Sequence, residues 1–420
     1  MSNRDATILL LKLIDGDAGS EPIDFSERVI SMTHEDNDKK ADKFTLTLNN
    51  WDLALLGDER LLKGQIIEAQ WGYPGRLSPP RQFEVVEVKG FTKLKIIGQG
   101  KAVLMAKDKK VRTWNGMTYS EIVTAIAREH GYQDRTAVIE GTKTKYDTIN
   151  QYQSDAVFCA TLARKSGGFV FYVDHTGFHW HRRQFNGTVR RVYWWRSDPG
   201  AGDILGEPQF ESNLATYPGK IKIVARDPIT RKDIEVVASR QQSDTYTLGE
   251  EEELISPDER PRSKAAERIA SESVVRIGAA TDAEAKEKAD ARFVFTANKR
   301  YKVVFNVVGD PQVWAKQIVE LRGVSDFYEG PYYLQQVVTQ MGGKYTQKMR
   351  AIKDAPGKTA KKKVNTKQPV DAQRGVTKKP GQGDKTKLVK VLRDHRDPVT
   401  GLLTKKWTWE RQQAESQVSK

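Results

Sequence analysis

Cysteine is almost missing from this chain, with Cys159 the single one in 420 residues. That excludes an internal disulfide framework and fits synthesis in a reducing compartment, so packing and hydrogen bonds must hold the fold. Long apolar runs are missing too. No stretch of 18 apolar residues occurs, so no membrane anchor is expected. The opening Met1-Ser-Asn-Arg-Asp-Ala6 has no apolar signal core, and conventional secretion is not expected either. The constellations of catalysis are also lacking. Gly98-Gln-Gly100-Lys101 is too short for a phosphate loop and sits at a strand end, and there is no Gly-x-Ser-x-Gly elbow or His-Glu-x-x-His. Cys159 falls on the apolar side of a predicted helix, where packing is expected rather than nucleophilic chemistry. No catalytic residue, cofactor or metal site is expected, and the chain reads as structural rather than enzymatic.

Charge is present but uneven. The net charge is +14, yet residues 354–420 hold 17 Lys and Arg against 7 Asp and Glu, an excess of 10, which leaves only +4 for the other 353 residues. A nucleic-acid enzyme more usually carries its positive patch on the folded domain. Two other readings stay open beside a structural role. One is a nucleic-acid-binding protein clamping phosphates with its Lys-rich tail; the near-neutral body and a linker without aromatics argue against specific nucleic acid. The other is a cell-wall hydrolase carried on a larger particle, which would need a catalytic set not found here.

What the chain does contain is a repeat. Gly64-Gln-Ile-Ile-Glu-Ala-Gln-Trp-Gly72 returns, one insertion apart, as Lys316-Gln-Ile-Val-Glu-Leu-Arg-Gly323. Phe44–Leu48 precedes the first copy and Tyr301–Phe305 the second. Phe83–Val88 and Leu94–Ile97 follow the first; Tyr333–Val338 and Tyr345–Met349 follow the second. The runs are short, rich in β-branched and aromatic residues, and bounded by Gly, Asp or Pro, so each predicts a strand. Four strands recurring in one order predict a duplicated antiparallel β unit, closed into a small barrel.

Taken in order, Ile8–Leu13 predicts a strand. The polar stretch His34–Asp42 predicts a solvated loop; it lacks the Gly and final Glu of a calcium-binding EF-hand loop. Trp51–Leu56 predicts a short helix. Thr118–Gly131 predicts a capped helix with Ile122, Ala125 and Ile126 on its apolar face, and Ser154–Ser166 a second with Val157, Phe158, Thr161 and Leu162 inward. Phe169–Val173, the turn Asp174–Gly177 and Phe178–His181 predict a hairpin; His179 and His181 share a strand face, a metal pair only if a third ligand joins them. Lys220–Ala225, the turn 227–231 and Ile234–Val237 predict another hairpin. The acidic stretch 241–261 predicts a solvated loop, while Lys264–Arg276 and Asp282–Phe295 predict helices. Beyond Asp354 the Lys, Thr, Gln, Pro and Gly content predicts a flexible linker. Leu388–Leu392 and Leu402–Trp409 then predict an amphipathic hairpin too small to fold alone.

The run Leu162-Ala-Arg-Lys-Ser-Gly-Gly-Phe-Val-Phe-Tyr-Val-Asp174 resembles the helix–hairpin signature of the phage late control D proteins, tail baseplate hubs related to the N-terminal part of VgrG spikes. The turn 227–231, the stretch Ala283–Val308 and the ending Ile318–Lys353 with Gly330-Pro-Tyr-Tyr333 fit the same pattern, so the resemblance covers residues 5 to 353. It implies an α+β, mainly β fold of two tandem tube-type barrels with an α/β region interposed. It also implies a homotrimer forming a pseudo-sixfold ring, with a hexameric tail tube protein on one side and a threefold spike on the other. The chain lacks the spike portion of a VgrG, so a separate spike protein is expected. The setting implied is a virion tail baseplate assembled in the host cytoplasm; a phage, a tailocin and another contractile injector look alike at this level. The expected domains are 1–106 (first barrel), 107–211 (α/β), 212–240 (a hairpin of the second barrel), 241–280 (loop and helix of the middle domain), 281–353 (second barrel), 354–386 (linker) and 387–420 (docking hairpin). Ile66, Trp71, Val85, Ile318, Leu321, Leu334 and Val337 are expected on barrel strands, facing either barrel core or subunit contact. Leu388, Val391, Trp407 and Trp409 are expected to dock the tail hairpin on an adjacent baseplate protein.

Overall fold

Phe44, Leu46 and Leu48 are buried while the threonines between them are half-exposed, the period-two burial of a strand with one face on a core. The same logic runs through most of the chain. The computed structural model describes residues 7–15, 19–23, 25–133, 135–166, 168–185, 187–196, 203–212, 220–226, 231–239, 272–276, 282–297, 301–353, 386–396 and 403–413. They fall in two compact units, a body Met1–Lys362 and a tail Lys363–Lys420.

The body begins with β1 (Ile8–Asp15), β2 (Gly19–Ile23), β3 (Val29–Asn37), β4 (Lys43–Asn49), β5 (Ile66–Tyr73), β6 (Arg76–Leu77), β7 (Arg81–Gly90) and β8 (Lys93–Gly100). An α/β segment follows: β9 (Arg112–Thr118), α1 (Tyr119–Glu129), β10 (Ala137–Ile139), β11 (Lys145–Gln151), α2 (Asp155–Lys165), β12 (Phe169–Asp174) and β13 (Gly177–Arg182). Next come β14 (Val189–Trp194), β15 (Ile204–Ser212), β16 (Lys220–Arg226), β17 (Asp233–Ser239), β18 (Glu272–Arg276) and α3 (Asp282–Ala297). The body ends with β19 (Tyr301–Val308), β20 (Ile318–Arg322), β21 (Gly330–Met341) and β22 (Thr346–Lys353). The tail holds β23 (Thr386–Arg396) and β24 (Leu403–Gln413).

Fourteen strands join one sheet, and its order carries the duplication. In the first copy the neighbours run β3-β4-β8-β7-β5-β1; in the second, β15-β19-β22-β21-β20-β14. The four repeated strands therefore pair in the same sequence, β4-β8-β7-β5 and β19-β22-β21-β20. Even the irregularities match. The ladder slips by one residue between Val85 and Glu87 in β7 and between Leu334 and Gln336 in β21, a bulge at the same point of each copy. One difference is direction: β1 runs antiparallel to β5, whereas β14 runs parallel to β20. The copies are joined where the outer half of β21 pairs antiparallel with β3. Each keeps its own core, one around Phe44, Leu46, Trp71 and Phe83, the other around Tyr193, Phe305, Leu321 and Tyr332.

The α/β segment has a third core. Thr118 accepts from the Glu121 N–H while the Glu121 carboxylate accepts from the Thr118 N–H, a reciprocal cap that starts α1. Ile122, Val123, Ile126 and Ala127 face inward, with Ala125 half-buried, and burying each of the larger ones is worth about 1.5–3 kcal/mol. In α2 the inward set is Phe158, Cys159, Leu162 and Ala163; Val157 is 47% exposed and Thr161 half-buried, so the expected stripe is rotated by about one residue. The β12–β13 hairpin forms with Asp174 and Gly177 at its turn.

Several expectations are corrected. His34–Asp42 is no solvated loop: β3 covers most of it, and His34, Asp36, Asp38 and Asp42 are buried. Trp51–Leu56 makes turns instead of a helix, because Leu53 sits at φ 59° and the Asn50 side chain takes the Leu55 N–H for itself. Glu272–Arg276 is strand β18, parallel to β16, not the end of a helix. The 220–239 hairpin does not join the second copy: β17, β16 and β18 form a separate sheet, and its Ile221, Ile223 and Ala225 pack on Ala285, Ala289 and Phe293 of α3. Residues of β14 and β15, assigned to the α/β domain, belong to the large sheet.

In the tail, β23 and β24 form an antiparallel two-stranded sheet longer than expected, 11 residues in each strand. Leu392 stands opposite Trp407 and Lys390 opposite Trp409, whereas Val391 stands opposite Thr408, one step out of phase. The acidic stretch 241–261, residues 264–271, the turn residues 227–230, most of the linker (354–385) and the turn 397–401 lie outside the described residues.

Candidate assembly site

The repeated string carries its own geometric test. Gly64 N donates to the Val85 carbonyl at 2.8 Å and Val85 N to the Gln65 carbonyl at 2.8 Å. In the second copy Lys316 N donates to Leu334 O at 2.7 Å and Leu334 N to Gln317 O at 2.9 Å. Gly64 and Lys316 thus hold one place, and both have positive φ, 92° and 72°. Glycine adopts that conformation freely; a lysine is strained there by about 1–2 kcal/mol.

The lysine's side chain accounts for its place. Lys316 Nζ lies 2.5 Å from Asp36, 3.7 Å from Asp174 and 3.9 Å from Asp42, and 4.5 Å from the Tyr172 ring centre. Arg81 lies 3.2 Å from Asp42 and 3.5 Å from Asp36, with its own plane near the Trp314 ring. All five charged side chains are less than a tenth exposed. Burial alone would raise the Asp36 carboxyl, but attraction to Lys316 and Arg81 outweighs it and holds it well below its usual range. Burial likewise opposes the Lys316 charge, and Asp36, Asp42 and Asp174 more than reverse that, pushing the ammonium up. Beside this group Arg183 meets Asp38 at 2.7 Å, both 2% exposed, and Asp38 N donates to the carbonyl of the bulged Gln335. The network ties three parts of the chain at one point: β3 and β7 of the first copy, the loop before β20 of the second, and the β12–β13 hairpin.

The loop 309–317 extends the same contact. Asp310 pairs with Arg76 at 3.0 Å and with Arg191, and Gln312 donates to the Leu77 carbonyl at 2.7 Å. Gln347, 1% exposed, fixes the loop by accepting from Asp310 N and donating to the Asp310 and Val313 carbonyls. Pro311 lies against Gly72, where an added Cβ would fall 3.0 Å from the proline ring and 2.3 Å from the Arg76 carbonyl.

His179 and His181 do share a face. His181 Nδ1 donates to the Arg182 carbonyl, which leaves Nε2 to accept from the Tyr172 hydroxyl at 3.3 Å. His179 stacks on Tyr172 and bonds Thr176, and burial lowers its pKa to about 4. Among the described residues no group of three His, Cys, Asp or Glu side chains is arranged to hold a metal ion. Cys159 is fully buried, and burial pushes its thiol up.

Of the strand residues singled out by sequence, Trp71, Val85, Leu321, Leu334 and Val337 lie in the two β cores. Ile318 packs with Phe185, Tyr333 and Ile352, and Ile66 is half-buried. The six buried ones face the interior of the chain's own fold. The sequence reading missed Asp36, Asp42, Arg81 and Asp174; the signal was the alternation Met32, His34, Asp36, Asp38, which continues one strand face, together with a lysine standing where the first copy has glycine.

No family model and no curated protein matches the chain by sequence. Solved structures do match in fold. A tail protein from Neisseria meningitidis MC58 aligns with TM-score 0.56 at 10% identity, covering 82% of this chain and 97% of that one. A 43 kDa tail protein of prophage MuSo2 from Shewanella oneidensis aligns with TM-score 0.56 at 12% identity, covering 84% and 100%. The E. coli c3393 protein, described as a type VI secretion component similar in structure to the T4 tail proteins gp27 and gp5, aligns with TM-score 0.51 at 12% identity, covering 82% and 76%. The chain has the fold of these tail and secretion-system proteins.

Proposed function

We propose that this chain is a structural hub of a contractile phage-type tail baseplate, three copies of which close a pseudo-sixfold ring between the tail tube and a separate central spike. The observation that carries the reading is the duplication itself. Two β units with the same strand order, the same bulge and the same hydrogen bonds at Gly64 and Lys316 give three chains six near-equivalent positions. The fold likeness to tail proteins supports it. The buried ion network is then the joint that fixes the angle between the two units of one chain. The role is non-enzymatic, and the place of action is the virion tail, with assembly in the host cytoplasm.

The tail hairpin is the tether: Leu388, Trp407 and Trp409, at register positions of one face, engage an adjacent baseplate protein, Val391 falls on the other face, and residues 354–386 supply reach. Light scattering of the full chain tests the ring, with a mass of three times 47.5 kDa expected. A chain that stays monomeric as concentration rises overturns it. Deletion of 354–420 is expected to leave that mass per chain ratio unchanged while reducing incorporation into baseplates.

A further inference from the structure

Inside one chain the two copies meet through two contacts: β21 pairs edge to edge with β3, and the loop after β19 packs on the β5–β7 region. Strand for strand, β7 stands where β21 does and β15 where β3 does. Among the described residues the duplicated positions of that contact are unfilled. From Val86 onward β7 pairs, among these residues, only with β8, its other side having left β5 at Glu84. β15 ends the sheet order, paired among the described residues with β19 alone, and Leu205, Gly206, Glu207, Gln209 and Glu211 are exposed. The equivalent strand β3, paired on both sides from Met32 onward, alternates there between buried and half-buried instead.

The loop after β4 tells the same story. Its counterpart after β19 is packed into the chain, with Val313 and Ala315 buried. In the first copy this loop is held rigid by the fully buried Asn50, which bonds Phe91 O and Leu55 N, yet it presents Trp51 at 80% exposure, with Leu56, Leu62 and the neighbouring Phe91 also exposed. By the same equivalence it would reach the β20–β21 connection of a second copy, where Phe327 is exposed, and Trp194 at the end of β14, opposite Arg322, is exposed beside it. Lone exposed apolar residues are ordinary; a fixed cluster facing a matching one is the mark of an interface.

We infer that a second copy of this chain docks here, the free half of β7 pairing antiparallel with β15 of the neighbour while the loop 50–65 covers the neighbour's β20–β21 connection. This rests on the ring reading above and names its strands. The internal contact also sets the register. Val338, two residues past the slip in β21, stands opposite Glu35, which stands opposite Lys43 at the start of β4. The matching residues are Lys89, two past the slip in β7, and Glu211, opposite Lys302 near the start of β19. Lys89 therefore faces Glu211 across the junction, a pair of opposite charge that within one copy bonds the same-chain neighbours Glu87 and Lys302.

The test uses the full chain with Lys89→Cys and Glu211→Cys together, oxidised under mild conditions, with each single variant as control. Paired residues of adjacent strands lie about 5 Å apart at Cα, within disulfide reach, and the buried Cys159 stays out of the reaction. A covalent ladder ending at three chains, absent from both single variants, is the expected result. In parallel, Lys89→Glu or Glu211→Lys alone should raise the concentration of half-assembly about tenfold, and the double reversal should restore it. A trimer that forms but neither cross-links nor responds to the reversals overturns this pairing and leaves the ring standing. A wild-type chain with no trimer overturns both.

Discussion

Lys316 carries two burdens, a left-handed backbone and a buried charge, and the second explains the first. Lys316→Met should destabilise the chain by about 3–5 kcal/mol in urea unfolding, because it leaves the buried carboxylates of Asp36, Asp42 and Asp174 with Arg81 alone in place of two cations. Lys316→Gly should recover only the backbone strain, about 1 kcal/mol, and so remain well below wild type. Asp36 is held below the usual carboxylate range, so its contribution is full above about pH 4 and falls away as the pH drops further; Lys316 is held above the usual ammonium range, so its share persists to about pH 10 and is lost beyond. His179 adds a term at milder pH. Its folded pKa of about 4 lies below the ordinary value near 6.5, so the unfolded chain takes the proton first and stability declines as pH falls between those values. His179→Gln should flatten that slope in thermal unfolding measured from pH 7 to 4.5.

At the scale of elements, what the sequence made legible was whatever rests on local rules. α1 was readable because Thr118, Glu121 and Gly131 mark its ends, and Thr118→Ala should cost about 1 kcal/mol, measured by denaturant unfolding. The β repeat was readable because the four strands keep their order and their bounding glycines. The failures have a common cause: the deciding partner lies far along the chain. Asp36 and Asp42 look like loop carboxylates until Lys316, some 280 residues later, is beside them. Glu272–Arg276 looks helical until β16 offers a parallel edge. The 220–239 hairpin was found, but nothing local says that α3 rather than the second β unit covers it.

For the whole molecule, the uneven charge and the duplicated sheet divide the work. On the proposed reading a near-neutral body builds the ring, and the basic tail follows it in sequence. Gly72→Val should test the joint inside one chain, since its side chain would collide with the Arg76 carbonyl and Pro311; a loss of about 2 kcal/mol or more in stability and a failure to assemble are expected together, read by unfolding and light scattering. The central claim is that three duplicated chains imitate six. Imaging of the assembled full chain in negative stain tests it most directly. The account predicts rings of three chains with six similar lobes around a central hole. Rings with another number of chains, or three lobes with no sixfold-like repeat, would contradict it.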